Sequence, residues 1–233
     1  MSGLRSVLQP LSGAAPADVE GGLPDSPARR RLLLGAGATV LTAGLGGLPA
    51  PAWAGAQVEE PLADAVRSAL SAAIAYDAPP KPHFDGIESR LVYLRWLGEM
   101  SERLKRQKAE AQTRIEFLET VWYESTRAGL EPALVLGLIQ VESGFRKYAI
   151  SVAGARGYMQ VMPFWTRLIG DGQASRLFHM QTNLRFGCVI MRHYLDRENG
   201  DLFLALGRYN GSRGKREYPD LVFGARKRWL PPA

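Results

Sequence analysis

The sequence predicts an all-α fold. Apolar residues recur at helical spacing in the long segments after residue 55, no stretch alternates as a half-buried strand would, and Gly and Pro punctuate the segments as helix stops and starts. With 46% hydrophobic and 22% charged residues in a chain of 233, there is enough apolar side chain for one or two cored domains.

The first segment, 1–54, reads as an export signal and not as fold. A loose Pro-, Gly- and Ser-rich stretch leads to Arg29, Arg30 and Arg31, then to seventeen uncharged residues, Leu32 to Leu48, and the small-x-small stop Ala52-Trp53-Ala54. Tandem arginines before a glycine-diluted apolar run resemble a twin-arginine signal, although Ala28 and Leu32 depart from that pattern. The run is shorter than the roughly 20 residues that span a bilayer. With no cysteine directly after it, the expectation is cleavage near Ala54, no stable membrane anchor afterwards, and a periplasmic protein.

The next segment, 55–110, is expected to be an N-terminal helical extension. Leu62, Val66, Ala69, Leu70 and Ala73 share a helical face, APPKPHFDG breaks it, and a second helical region runs from about Ile87 to Ala128 with a charged middle that suits a bend. Its later part sets Ile115, Leu118, Val121 and Trp122 on one stripe and stops at Gly129. Pro132 suits the first turn of the next helix, which reaches Ser143. Residues 145–163 read as loop, and further helices are expected near 164–170, 182–195, 201–208 and 218–229.

Charge is divided unevenly. Residues 55–120 carry nine Lys and Arg against eleven Asp and Glu, whereas 121–233 carry sixteen against nine. The basic half favours a polyanionic partner; for an exported chain that points to the cell wall or anionic lipid and away from nucleic acid.

Within LGLIQVESGF, residues 136–145, a single carboxylate continues an apolar face. Glu142 follows Ile139, Leu138 and Val135 at i−3, i−4 and i−7, so burial should raise its pKa toward the range a general acid needs. The same periodicity also allows a glutamate that turns outward or pairs with Arg146.

Farther along stand GYMQVMP, Gly157 to Pro163, and LGRYNGS, Leu206 to Ser212. QVES, then SVAGARGYMQVMP, then RYNG, in this order, resemble the catalytic domain of the soluble lytic transglycosylases, the SLT domain, whose fold is goose-lysozyme-like. The resemblance covers about 110–230, with the domain expected at 111–230, and implies cleavage of the bond between N-acetylmuramic acid and N-acetylglucosamine in peptidoglycan with formation of 1,6-anhydro ends. It implies that Glu142 is the catalytic acid and then base, and that Ser151, Gln160, Met162, Tyr209 and Asn210 line the substrate site. Ser143 is read as a brace of the helix end. Gly154 and Gly157 are read as permitting a backbone turn close to the ligand.

A single carboxylate is chemically sufficient when the sugar's own acetamido group and 6-hydroxyl replace the second acid of ordinary glycosidases. Two departures from the family pattern, Tyr158 for Leu and Gly207 for Ala, could reshape a subsite, and Glu217 is a weak candidate for a second acid. His83, His179 and His193 have no metal-ligand spacing, so neither metal nor cofactor is expected. Cys188, in an apolar helical run, reads as a small core residue. The expected partner is the peptidoglycan glycan strand, acted on by a monomer. The alternatives are a goose-type lysozyme that hydrolyses the same bond, and a non-catalytic wall-binding protein.

Overall fold

The computed structural model describes residues 57–75 and 82–231. The expected signal at 1–54 lies outside them. Among the described residues eight α-helices form: α1 (Asp64–Ala75), α2 (Ile87–Leu104), α3 (Ala111–Arg127), α4 (Pro132–Ser143), α5 (Phe164–Ile169), α6 (Met180–Arg197), α7 (Leu202–Asn210) and α8 (Glu217–Lys227), with a 3-10 turn at Ala174–Phe178. Among the described residues there is no strand, only isolated bridges from Ile150 to Arg156 and from Arg156 to Val161. The all-α expectation holds.

The helical region expected over 87–128 is two helices. The chain leaves α2 at Leu104, and the Glu110 carboxylate starts α3 by accepting from the backbone N–H groups of Gln112 and Thr113. Those two N–H groups have no partner inside the helix, so the cap supplies what the first turn lacks. Asp201 caps α7 in the same way, accepting from Leu204 N at 2.9 Å. Pro132 sits in the first turn of α4, and Gly144, at φ 57°, ends it.

Helix α4 is the centre of the core. Val135, Leu136, Leu138 and Ile139 are fully buried, so the helix is apolar on nearly every side and is wrapped by its neighbours. Burial of each such side chain stabilises the fold by about 1.5–3 kcal/mol. Its main partners are α8 and α3; α3 also packs on α6 and α2, and α6 on α7. Between α2 and α3 lies an aromatic cluster in which Trp122 meets Tyr93 at 5.2 Å and Trp96 at 4.7 Å between ring centres. Arg103 of α2 reaches the end of α8, donating to the carbonyls of Arg228 and Leu230 at 2.9 and 2.7 Å.

One buried charge ties α3 to α6. Glu124 is completely covered, and its carboxylate accepts from Arg185 Nε and Nη2 at 3.1 and 3.0 Å and from Arg127 Nε at 3.1 Å. Paired this way, a carboxylate is tolerable in a core; stripped of its arginines it would be strongly destabilising.

The approach of α8 to α4 depends on Gly137. A Cβ at this position would lie 2.7 Å from Arg226 N and 2.9 Å from Arg226 Cα, backbone atoms that cannot swing aside. Gly137→Ala should therefore destabilise the protein by about 1–3 kcal/mol through overpacking, in spite of alanine's better helix propensity. Gly98, exposed on α2, is the control, since a Cβ added there would meet nothing within 4 Å. Gly98→Ala should stabilise by roughly 0.5–1 kcal/mol, so thermal unfolding of the two variants should move in opposite directions.

Candidate active site

Glu142 lies in the last turn of α4 and is 4% exposed. Its backbone direction follows from the apolar face to which it belongs: Val135, Leu138 and Ile139 are themselves covered, so the carboxylate enters the same interior. Of the outcomes left open by periodicity, the buried one is realised. Arg146 donates instead to the Ser143 carbonyl, Nε to O at 2.8 Å.

The partner of the acid is Tyr218, in the first turn of α8. Its hydroxyl donates to Glu142 Oε1 at 2.5 Å, while Glu142 Oε2 is buried with no hydrogen-bond partner. Burial pushes the Glu142 pKa up to about 8, against a smaller downward pull from the tyrosine hydroxyl. The desolvation cost of the anion outweighs one donated hydrogen bond, and the acid is held largely protonated at neutral pH. Tyr218 is driven well above the usual tyrosine range by burial and by the adjacent glutamate, so it stays a donor.

The GYMQ loop is built against this centre. Ser143 Oγ donates to Tyr158 O at 2.7 Å and contacts Ile139 O at 3.2 Å, fastening the loop to the end of α4. That is the bracing role expected of Ser143. Tyr209 is fully buried and its hydroxyl donates to Met159 O at 2.8 Å. The hydroxyl that meets Glu142 is thus that of Tyr218, and Tyr209 acts on the loop, within electrostatic reach of the acid.

Gln160 is buried at φ 48°, with its Nε2 donating to Ala149 O at 3.1 Å and Gly157 O at 2.9 Å. Ser151 is half-buried and its Oγ accepts from Ala155 N at 3.1 Å. Met162 is half-buried against the core. Asn210 is buried, donates from Nδ2 to Ser212 Oγ at 3.0 Å and leaves Oδ1 covered without a partner. Glu217 is exposed, one residue before the tyrosine that turns inward.

Two residues escape a reading of the sequence. Tyr218 sits in REYPDLVF, where no local pattern marks it. Asn183 of α6 is completely buried and accepts from Met159 N at 2.8 Å while donating from Nδ2 to the carbonyls of Arg156 and Leu177, both at 2.8 Å. It organises the loop from behind. Gly157, at φ 76°, is required by this contact: a Cβ there would lie 2.4 Å from Asn183 Nδ2 and 2.6 Å from Leu177 O. The close approach at Gly157 is therefore to Asn183, where a ligand was expected; at Gly154, φ 87°, nothing lies within 4 Å.

Tyr158 also finds its explanation. Its ring packs on Phe117, 4.9 Å between centres, and its hydroxyl accepts from Lys108 Nζ at 2.8 Å. The ammonium lies over both rings, at 4.5 Å from the Tyr158 centre and 4.8 Å from that of Phe117. Burial, helped by Lys147, lowers the Lys108 pKa to about 8.

Comparison with known proteins places this centre in a family. Residues 119–224 match the Transglycosylase SLT domain. The membrane-bound lytic murein transglycosylase C of Actinobacillus pleuropneumoniae serotype 5b (strain L20) is 37% identical over 84 residues, which cover 33% of this chain and 23% of that protein. The transglycosylase of Enterobacteria phage PRD1 is 32% identical over 104 residues, 45% of this chain and 38% of the phage protein. The chain thus spans less than two fifths of the length of either relative. A solved structure of an inactive mutant of the lytic transglycosylase Slt from Pseudomonas aeruginosa aligns with 60% of this chain and 27% of its own, at 22% identity and a TM-score of 0.38. Since the matched residues contain Glu142, Tyr218 and the GYMQ and RYNG segments between them, this chain carries a transglycosylase SLT domain.

Proposed function

We propose that this protein is a peptidoglycan lytic transglycosylase that cleaves the bond between N-acetylmuramic acid and N-acetylglucosamine and closes a 1,6-anhydro ring on the muramic acid. The observation that carries the reading is the buried Glu142, protonated by its surroundings and bonded on one oxygen only. The relatives named membrane-bound lytic murein transglycosylase C support the substrate.

Because Tyr218 donates to Oε1, the acidic proton belongs on Oε2. Oε2 gives that proton to the bridging oxygen as the glycosidic C–O bond breaks. The resulting carboxylate is stabilised by the Tyr218 hydroxyl, whose bond strengthens as charge develops on its acceptor. The carboxylate then takes the proton of the sugar's 6-hydroxyl while that oxygen bonds to the anomeric carbon. Glu142 is restored to its starting form, and no water is consumed.

Ser151, Gln160, Met162, Tyr209 and Asn210 are assigned to the substrate site. For Gln160 and Tyr209 the assignment is through the loop they shape, since their donors are engaged with Ala149, Gly157 and Met159 carbonyls. Asn210 Oδ1, buried and unpartnered, is the polar atom best suited to accept from a sugar amide. The protein is assigned to the periplasm as a monomer, with 1–54 as its export signal, 55–110 as a helical extension and 111–230 as the catalytic domain. No helix among the described residues is long and apolar enough to cross a membrane.

Product analysis of digested sacculi by mass spectrometry tests the reading: anhydro-muramic ends are expected, and ordinary reducing ends in their place would make the enzyme a lysozyme. Glu142→Gln should lower glycan release by at least about 10²–10⁴-fold without loss of fold. It should also flatten the dependence of stability on pH. The folded-state pKa is raised, so the native state keeps a proton that the unfolded chain releases, and stability from this group falls as pH rises from about 4.5 to about 8. Thermal unfolding across that window should show this slope in the wild type and lose it in the variant.

Tyr218→Phe removes a bond that favours the carboxylate, so the Glu142 pKa should rise further. The alkaline limb of kcat/KM should move to higher pH while the maximal rate drops, because the carboxylate formed after proton transfer has lost its donor. An alkaline limb that stays in place, or moves to lower pH, would refute the role given to Tyr218.

A further inference from the structure

The segment preceding α1, residues 57–62, is drawn across the helices that flank the site. At its start Gln57 is buried, and its Oε1 accepts from Trp165 Nε1 of α5 at 2.9 Å. The same side chain faces the hydroxyl of Tyr209, the residue that holds Met159 of the GYMQ loop. Next, Glu59 pairs with Arg167 of α5 at 3.4 Å. Glu60 bridges two helices, pairing with Arg197 of α6 and with Arg208 of α7, the latter at 3.2 Å. Leu62 is partly buried against the core and leads into α1.

The far end of this arm is held differently. Arg127 Nη1 donates to Ala73 O at 2.9 Å and Arg185 Nη1 to Ile74 O at 3.4 Å, so the end of α1 is fixed to the arginines that surround Glu124. Helix α1 itself has no fully buried residue. The arm is therefore attached at its end through two backbone carbonyls, and at its beginning by the buried Gln57 contact followed by partly exposed ion pairs, which are individually weak and screened by salt.

Resting on the proposed activity, we infer that residues 57–62 are an autoinhibitory strap: Gln57 closes the Tyr209 flank of the site, and Glu59 and Glu60 occupy Arg167 and Arg197 in place of the anionic substrate, while Arg208 is shared between Glu60 and the buried Glu198. The acidic segment and the carboxylate-bearing peptide stems of peptidoglycan have the same chemistry toward Arg167 and Arg197. Substrate binding displaces the glutamates, the strap lifts from its Gln57 end, and the fixed end of α1 keeps it attached.

The test compares the full chain with Glu59→Gln/Glu60→Gln on purified sacculi at low ionic strength. Weakening the strap should raise the initial rate of anhydro-muropeptide release by roughly three- to tenfold, with the same products, as a closed population is shifted toward an open one. Hydrogen exchange at the amides of residues 58–62 should quicken in the same variant. Gln57→Ala, which leaves the ion pairs in place, should also raise the rate and serves as the second variant if the double one does not fold. An unchanged or lower rate in a folded variant, with anhydro products still formed, would overturn the strap and leave the activity standing. A wild type that forms no anhydro product would overturn the proposed activity and the strap with it.

Discussion

A carboxylic acid inside an apolar helix end, bonded through one oxygen to a tyrosine from another helix, is the constraint that the rest of the structure serves. The two opposed effects on Glu142 are unequal. Burial acts on the whole anion, while the Tyr218 hydroxyl compensates at one oxygen only, so the acid remains protonated up to about pH 8. Were the tyrosine absent, the carboxylate would be harder still to form; were the helix end open to water, the acid would be an ordinary surface glutamate.

Holding two side chains from α4 and α8 at 2.5 Å requires the helices themselves to be close, and this is where the packing becomes specific. Gly137 leaves room for the Arg226 backbone a little more than a turn before the acid, and Arg103 secures the far end of α8. On the other side, Asn183, Ser143 and Tyr209 each bond a different backbone atom of the GYMQ loop: Met159 N, Tyr158 O and Met159 O. The loop is thus suspended from α6, α4 and α7 at once, which is the kind of support that keeps a reactive geometry within a few tenths of an ångström.

Much of this was legible in the sequence, and the reasons differ by residue. Helix ends were legible where capping chemistry is local: Pro132 at the start of α4 and Gly129 after α3 stand where the chain needs them. The region 87–128 was harder, because its charged middle has no strong breaker and only the Glu110 cap separates α2 from α3. Glu142 was legible as a candidate from its apolar neighbours, but periodicity could not decide between an inward and an outward side chain. Motif order in GYMQVMP and RYNG pointed to the family, while the work of Tyr209 and Gln160 inside the loop was hidden, since each bonds backbone carbonyls that no pattern of side chains encodes.

By itself the sequence determined the helical class, the approximate placement of the helices outside 87–128, and the presence of one carboxylate on an apolar face beside three ordered motifs. These are consequences of local periodicity and local chemistry. Only the tertiary structure decided that the carboxylate is met by Tyr218, that Asn183 sets the loop, and that the acidic residues of 57–62 lie on arginines more than a hundred residues away. Those pairings are between residues with no fixed separation in the chain, and the packing of α8 on α4 and of the N-terminal arm on α5, α6 and α7 is what brings them within bonding distance.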